Sequence, residues 1–328
     1  MTGTTAALYR LLYEGLLARL PESAAVTLGQ RVLKAVPLDR VSMFRREDPR
    51  LETVLGGVRL PNPLILSAMY YDTQILKRAM GLGFGAVTTK SITRQPRPGH
   101  PLPNLVRVRT AAGPGLVNCN GFQNPGLEAF RAAIKSVGHR VPLIVSVAGE
   151  SAEDYVAVAS GLAPFGDLVE LNISSPNTRL VYTWSARPAE LRGVLETVRA
   201  AVGKPLIVKI SPDFADANDK DILPAVLEAG IGIVNYGNAR RVDEPRLSQK
   251  AGGLSGPELL SATVENVRRT RARFGASFQI IGTGGVDSPA GARAILAAGA
   301  TAVGYFTGFV TRGPILARQI LDGLLADG

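Results

Sequence analysis

A single cysteine, Cys119, is all that the 328-residue chain contains. It excludes an internal disulfide and leaves no set of thiolates for an iron–sulfur cluster. Histidine is nearly as scarce. His100 and His139 lie far apart, with no carboxylate at metal-ligand spacing, which argues against a zinc or non-haem iron site. Long apolar runs are missing too: no stretch reaches the ~18 uninterrupted apolar residues that a bilayer span needs, and the N-terminus carries no cleavable signal pattern. The expectation is a cytoplasmic protein, soluble or held peripherally on the inner face of the cell membrane.

What is present suits a large buried core with many tight turns: 46% hydrophobic residues, 20% charged and 36 glycines. The formal net charge of +10 points to an anionic partner, whether nucleic acid, phospholipid head groups, or an acidic substrate with a phosphorylated cofactor. The basic clusters are short. Arg268, Arg269, Arg271 and Arg273 follow a helical pattern without interleaved aromatics and read as a solvated helix face, so nucleic acid is not the expected partner.

Eight short apolar, β-branched runs read as strands: 64–68, 86–91, 143–148, 168–173, 206–211, 231–237, 278–285 and 302–307. Most are continuous rather than alternating, as parallel strands buried on both faces are. Helical patterns lie between and after them, at 72–82, 126–137, 151–162, 188–202, 219–229, 257–274, 288–298 and 314–325. Ser151 with Asp154, and Ser288 followed by Pro289, are helix-start signals; Gly230, Gly275 and Gly299 sit where C-caps would. Eight β–α alternations predict an α/β fold, a closed (β/α)8 TIM barrel, with an open doubly wound sheet as the competing architecture. The working residues of such a barrel lie at the C-terminal ends of its strands.

Residues 1–45 stand outside this alternation and read as an N-terminal helical extension to a barrel spanning 46–328. Ala25, Leu28, Gly29, Val32, Leu33 and Val36 mark one helical face, and an earlier segment from Leu8 to Leu20 is apolar around most of its circumference. The pair reads equally as a hairpin capping the barrel bottom or as helices touching a membrane surface or an apolar ligand.

The polar residues at strand ends carry the chemistry. Asn172-Ile173-Ser174-Ser175-Pro176-Asn177 follows the fourth strand, and its amides and hydroxyls suit a ligand with alternating C=O and N–H groups, such as a pyrimidine ring, although Ser-Pro-Asn is also ordinary turn chemistry. A second amide cluster, Asn118 to Gly126, includes Phe122 in a long segment between the second and third strands. Lys90 and Lys209 fall inside otherwise apolar runs, so each is expected to meet an anion or a strong acceptor. Glycines at 252–256 and 282–285, with Thr307-Gly308, fall where such barrels often hold a phosphate on bare backbone N–H groups. Gly81-Leu82-Gly83-Phe84-Gly85-Ala86 superficially fits a dinucleotide fingerprint, but it follows a helix and opens a strand, the reverse of the required order.

Along nearly its full length the chain resembles the dihydroorotate dehydrogenases. The resemblance rests on Asn172 to Asn177, Val208-Lys209-Ile210 with Pro212-Asp213, Gly252 to Gly256, Ile281 to Gly285 before Asp287-Ser288, and Thr307-Gly308-Phe309. It implies FMN-dependent oxidation of dihydroorotate to orotate in pyrimidine biosynthesis. The catalytic base is then Ser175, since the quinone-using class has serine there and the soluble class cysteine. Asn118, Phe122, Asn172, Asn177, Lys90 and Asn238 are the implied substrate contacts. Ala68, Lys90, Ser91, Ser146, Asn172 and Lys209 would face the flavin, with Gly256, Gly285, Phe306 and Thr307 in the phosphate and ribityl region. The N-terminal helices resemble those that form a membrane-facing quinone tunnel, where Arg107 matches an arginine; no metal is implied.

The chain also departs from that family. Ser67-Ala68-Met69 stands where Ala-Gly or Ser-Gly is usual, and Tyr70, Tyr71 and Asp72 occupy the neighbourhood of a lysine of the quinone class, while Lys90 matches a lysine of the soluble class. Tyr236-Gly237-Asn238 replaces an Asn-Thr/Ser pair, Ser146 replaces a flavin-binding asparagine, and Ala25 replaces a tunnel histidine. Three readings follow: a quinone-class dihydroorotate dehydrogenase, the same chassis acting on another cyclic amide or enone, and a non-catalytic barrel that has lost flavin.

Overall fold

The computed structural model describes residues 2–174 and 187–326. Its centre is a closed barrel of eight parallel strands: β1 (Leu64–Tyr70), β2 (Ala86–Thr89), β3 (Leu143–Val147), β4 (Leu168–Asn172), β5 (Leu206–Ile210), β6 (Ile233–Tyr236), β7 (Gln279–Thr283) and β8 (Ala302–Tyr305). Each strand pairs with its neighbours in sequence, and β8 closes on β1. The eight expected runs are these eight strands, and closure rejects the open sheet. Only the ends differ: Lys90 lies one residue past β2 rather than inside it.

Inside the barrel, Ile65, Ile144, Leu168, Ile207, Ile233 and Ile281 form an apolar floor with Leu55 and Leu60. The last two come from the antiparallel hairpin Thr53–Leu55 and Val58–Leu60, which stoppers the N-terminal end of the barrel. Its two-residue turn, Gly56-Gly57, has positive φ at both positions, the geometry that favours glycine in tight hairpins. Gln279 clamps the hairpin, donating to Val54 O at 2.8 Å and accepting from Gly56 N at 2.6 Å. Each buried Leu or Ile here contributes roughly 1.5–3 kcal/mol.

The helices fall on the expected segments, shortened at their ends. Ser151 accepts from Asp154 N, Ser288 accepts from Gly291 N, and Gly230, Gly275 and Gly299 have positive φ. The expected helix 219–229 is interrupted: Ala215–Ala217 leads into a wider turn at Asn218–Ile222 before Leu223–Glu228. The arginine face is exposed at Arg268 and Arg273, as a solvated face is, and its members also make local contacts. Arg269 pairs with Asp216 and Asp219, Arg268 with Glu265, and Arg271 donates to Gly299 O.

Three features escape the sequence reading, the first being the 53–60 hairpin described above. A four-stranded antiparallel sheet, Arg240–Asp243, Ala251–Ser255, Gly113–Asn118 and Leu105–Thr110, is assembled from the long segments after β2 and β6. A short helix, Thr307–Arg312, follows β8 before Ile315–Ala326.

The N-terminal helices α1 (Thr2–Gly15) and α2 (Glu22–Ala35) do not cap the barrel bottom, which the hairpin fills. α1 packs on Thr307–Arg312 and Ile315–Ala326, and α2 on Thr73–Ala79 and Leu105–Thr110, beside the C-terminal mouth. Tyr9 donates to Val310 O at 2.8 Å, Arg107 donates to the carbonyls of Leu17, Ala18 and Leu20, and Lys34 pairs with Asp72. The face expected on α2 divides: Ala25, Gly29 and Leu33 are half-buried while Leu28, Val32 and Val36 stay exposed.

Candidate active site

Strand periodicity layers the barrel interior. Two residues above the apolar floor stand Ser146, Glu170, Lys209 and Asn235, all buried; two further on stand Ala148, Asn172, Ser211 and Gly237 at the mouth. The register sets Ser146 beside Glu170, Lys209 beside Asn172 and Asn235 beside Lys209. The polar layer is therefore one connected network. Glu170 Oε1 accepts from Ser146 Oγ at 2.9 Å, its Oε2 accepts from Asn235 Nδ2 at 2.6 Å, and Lys209 Nζ stands 3.9 Å from Oε1.

The network climbs to the mouth through hydroxyls and amides. Ser91 and Ser146 hydroxyls are 2.9 Å apart, and Asn172 Nδ2 donates to Ser91 Oγ at 2.9 Å. Asn172 Oδ1 accepts from Ser174 N at 3.3 Å, and Asn238 Nδ2 donates to Ser174 Oγ at 3.0 Å. Buried Tyr155 fixes the end of β4 from outside, donating to Asn172 O at 2.8 Å. Asn238 thus brings an amide to the cluster, while Tyr236 turns outward to Thr270. Lys90 joins from the end of β2. Burial and then the nearby charge of Lys209 bring its pKa down to about 8.

At β1 the ladder slips: Leu66 pairs with Val87 and Tyr70 with Thr89, so Ser67, Ala68 and Met69 bulge opposite Thr88. Bulges re-aim side chains beside active sites. Here one leaves Ala68 and Met69 half-buried at the mouth, with Tyr70 edge-on to Phe306 at 5.4 Å between centroids.

The glycine turns gather on the other side. Thr307 donates to Ser255 Oγ at 2.9 Å, joining the segment before Gly256 to the helix after β8. Gly285 has φ +84, and a Cβ there would lie 2.3 Å from Leu260 N, so only glycine fits. The first-turn N–H groups of Thr307–Arg312 have no intrahelical acceptor.

The other expected residues that are described share no hydrogen bond with the polar network. Asn118 ends a strand of the antiparallel sheet opposite Gly253. Phe122, at φ 57, helps line a cleft with Thr93, Arg94, Arg97 and Glu150. Arg107 lies at the N-terminal helices, outside the network. Ser175 and Asn177 lie outside the described residues. Sequence reasoning missed Glu170, Asn235 and Ser255, whereas Ser174 lies in the motif it singled out. For Glu170 the signal was available: a charge in an otherwise apolar strand, two residues before Asn172.

Fold and site together define a closed (β/α)8 barrel with a buried polar network below its C-terminal mouth. The family model described as "Dihydroorotate dehydrogenase" matches residues 50–327. Among similar proteins, a dihydroorotate dehydrogenase (quinone) of Thermus thermophilus is 35% identical over 86% of this chain and 85% of its own length. That of Natronomonas pharaonis is 33% identical over 97% and 94%. A solved DHODH from Eimeria tenella, in complex with ferulenol, superposes with a TM-score of 0.83 at 25% identity, covering 96% of this chain and 94% of that one. The chain belongs to the dihydroorotate dehydrogenase family and is most like its quinone-using class.

Proposed function

We propose that the protein oxidises dihydroorotate to orotate with FMN as resident cofactor and a quinone as electron acceptor. The observation that carries this reading is the buried Lys209–Glu170–Ser146–Ser91–Asn172 network below the mouth, with glycine turns to one side. The residues fit a flavin. Thr283 Oγ1 and Asn235 Oδ1 are buried without a partner among the described residues, and the Lys209 ammonium stands beyond hydrogen-bond length from its carboxylate. Such orphaned groups are costly unless a bound molecule meets them. Lys209, Lys90, Ser91, Asn172 and Ala68 would hold the ring system, and Gly256, Gly285, Phe306 and Thr307 the ribityl and phosphate. Ser146 would act beneath, its hydroxyl already engaged by Ser91 and Glu170.

FMN supplies a hydride acceptor when bound. Ser175 takes the proton from the substrate's C5 and needs hydrogen-bonding neighbours to do so, because a serine hydroxyl is a weak base. Asn118, Asn172, Asn177 and Asn238 pair with ring C=O and N–H groups, Phe122 covers the ring, and Lys90 balances the substrate carboxylate. Residues 1–45 form a separate extension that admits quinone near Arg107 and rests peripherally on the inner face of the membrane. An absorption spectrum before and after anaerobic addition of dihydroorotate tests the whole reading. The expected result is a flavin band that bleaches; a flavin-loaded sample that dihydroorotate leaves oxidised overturns it.

Gly237 and the half-buried Met69 favour one second reading, a different cyclic amide or enone as substrate on the same chassis. An anaerobic reduction screen separates the two, since exclusive bleaching by dihydroorotate removes the second.

A further inference from the structure

Glu170 is the one carboxylate in the buried polar layer described above, and nothing in the proposed reaction uses it. It is 1% exposed and sits directly above the apolar floor, with Leu168 two residues below it on the same strand. Burying a carboxylate costs several kcal/mol unless it is paired and hydrogen-bonded. Its two hydrogen bonds come from neutral groups, Ser146 and Asn235, so the charge itself is balanced by Lys209.

The geometry of that balance is specific. At 3.9 Å the ammonium is close enough for strong Coulombic attraction at low dielectric, yet beyond hydrogen-bond length. A tighter pair would tie up the ammonium's donors. This spacing leaves them for a molecule at the mouth. Lys90 makes the arrangement asymmetric, because its ammonium is close enough for the charge of Lys209 to act on it. Glu170 thus balances the cation that acts on Lys90, and without that carboxylate the charge of Lys209 beside Lys90 would go unbalanced.

We propose that Glu170 is a positioning residue that holds the Lys209 ammonium under the flavin and limits the positive charge there, thereby setting the cofactor's reduction potential. The inference rests on the proposed function for its flavin part only. Removing the carboxylate leaves uncompensated positive charge, which favours the electron-rich reduced flavin, so the potential rises. Removing Lys209 acts in the opposite direction and also strands a buried anion.

The test is a double-mutant cycle with Glu170→Gln, Lys209→Met and the combined variant, read in two ways. In urea unfolding of the flavin-free proteins, Lys209→Met should lower the midpoint strongly, and adding Glu170→Gln should raise it again. If the combined variant unfolds at or below the Lys209→Met midpoint, the charge pairing is refuted. In the holoenzymes, the flavin midpoint potential should shift upward in Glu170→Gln, downward in Lys209→Met, and return towards the parent in the combination. A purely structural role for Glu170 would loosen flavin binding without this reversal of sign. An unchanged or lowered potential in Glu170→Gln overturns the tuning role. If the purified protein binds no flavin, the proposed function and the tuning role both fail, while the urea cycle still decides the pairing of Glu170 with Lys209.

Discussion

Lys90 carries the clearest pH signature of any side chain at the site. Burial, reinforced by the charge of Lys209, takes its pKa from 10.5 to about 8. Below pH 8 the folded and unfolded chains both hold the proton, and the folded state bears the cost of a desolvated cation. Between about 8 and 10.5 the unfolded chain still binds a proton that the folded chain has released, so stability rises with pH across that window. Lys90→Met should abolish the rise and gain about 1–3 kcal/mol at pH 7. Urea unfolding of flavin-free protein at pH 7 and pH 9.5 checks both, and a variant that keeps the parent's slope contradicts the assignment. Lys90 and Lys209 were legible in sequence because a charge inside an apolar run needs a reason. Glu170 obeys the same logic, but taking 168–173 as one apolar run hides it. Its partners Ser146 and Asn235 come from two other strands, and cross-strand register is not written in any local pattern.

Elements were legible in proportion to how local their causes are. Each barrel strand is buried on both faces and announces itself by composition alone. The antiparallel sheet does not: Asn118 meets Gly253 across a pairing that joins two distant insertions, and Gly113-Pro114-Gly115 gives little strand signal. Amphipathicity likewise predicted two N-terminal helices without saying where they dock. The docking of α1 depends on few contacts. Tyr9 stacks 6.5 Å from Tyr13, covers Gly313 and donates to Val310 O, the C-terminal half of the helix that follows β8. Tyr9→Phe removes one part-buried hydrogen bond, worth about 0.5–1.5 kcal/mol. The expected outcome is hydrogen exchange in α1 faster by roughly 2- to 10-fold, the factor that energy implies, with the barrel melting temperature unchanged. Equal exchange rates in the two proteins would place the anchor elsewhere.

For the molecule as a whole, the largest group of exposed leucines and valines among the described residues is the one the N-terminal helices present outward. Leu8 and Leu11 are 68% and 69% exposed, and Leu12, Leu16, Leu28, Val32 and Val36 are exposed with them. No helix among the described residues is long and apolar enough to cross a membrane. Such stripes on short helices suit the headgroup boundary instead, with the apolar side inserted and basic residues facing anionic lipid. The net charge of +10 adds attraction to an anionic surface that salt weakens. The protein should therefore co-sediment with vesicles containing phosphatidylglycerol more than with neutral phosphatidylcholine vesicles, and less at 0.5 M salt than at 0.05 M. Serine at Leu8, Leu11 and Leu12 together should reduce that binding at least about tenfold, since even part of the ~1.5–3 kcal/mol per buried leucine exceeds the 1.4 kcal/mol that a factor of ten requires. Because these three side chains lie on the solvent side of α1, the barrel should keep its stability. If the triple variant sediments like the parent, the exposed leucines are not the membrane contact.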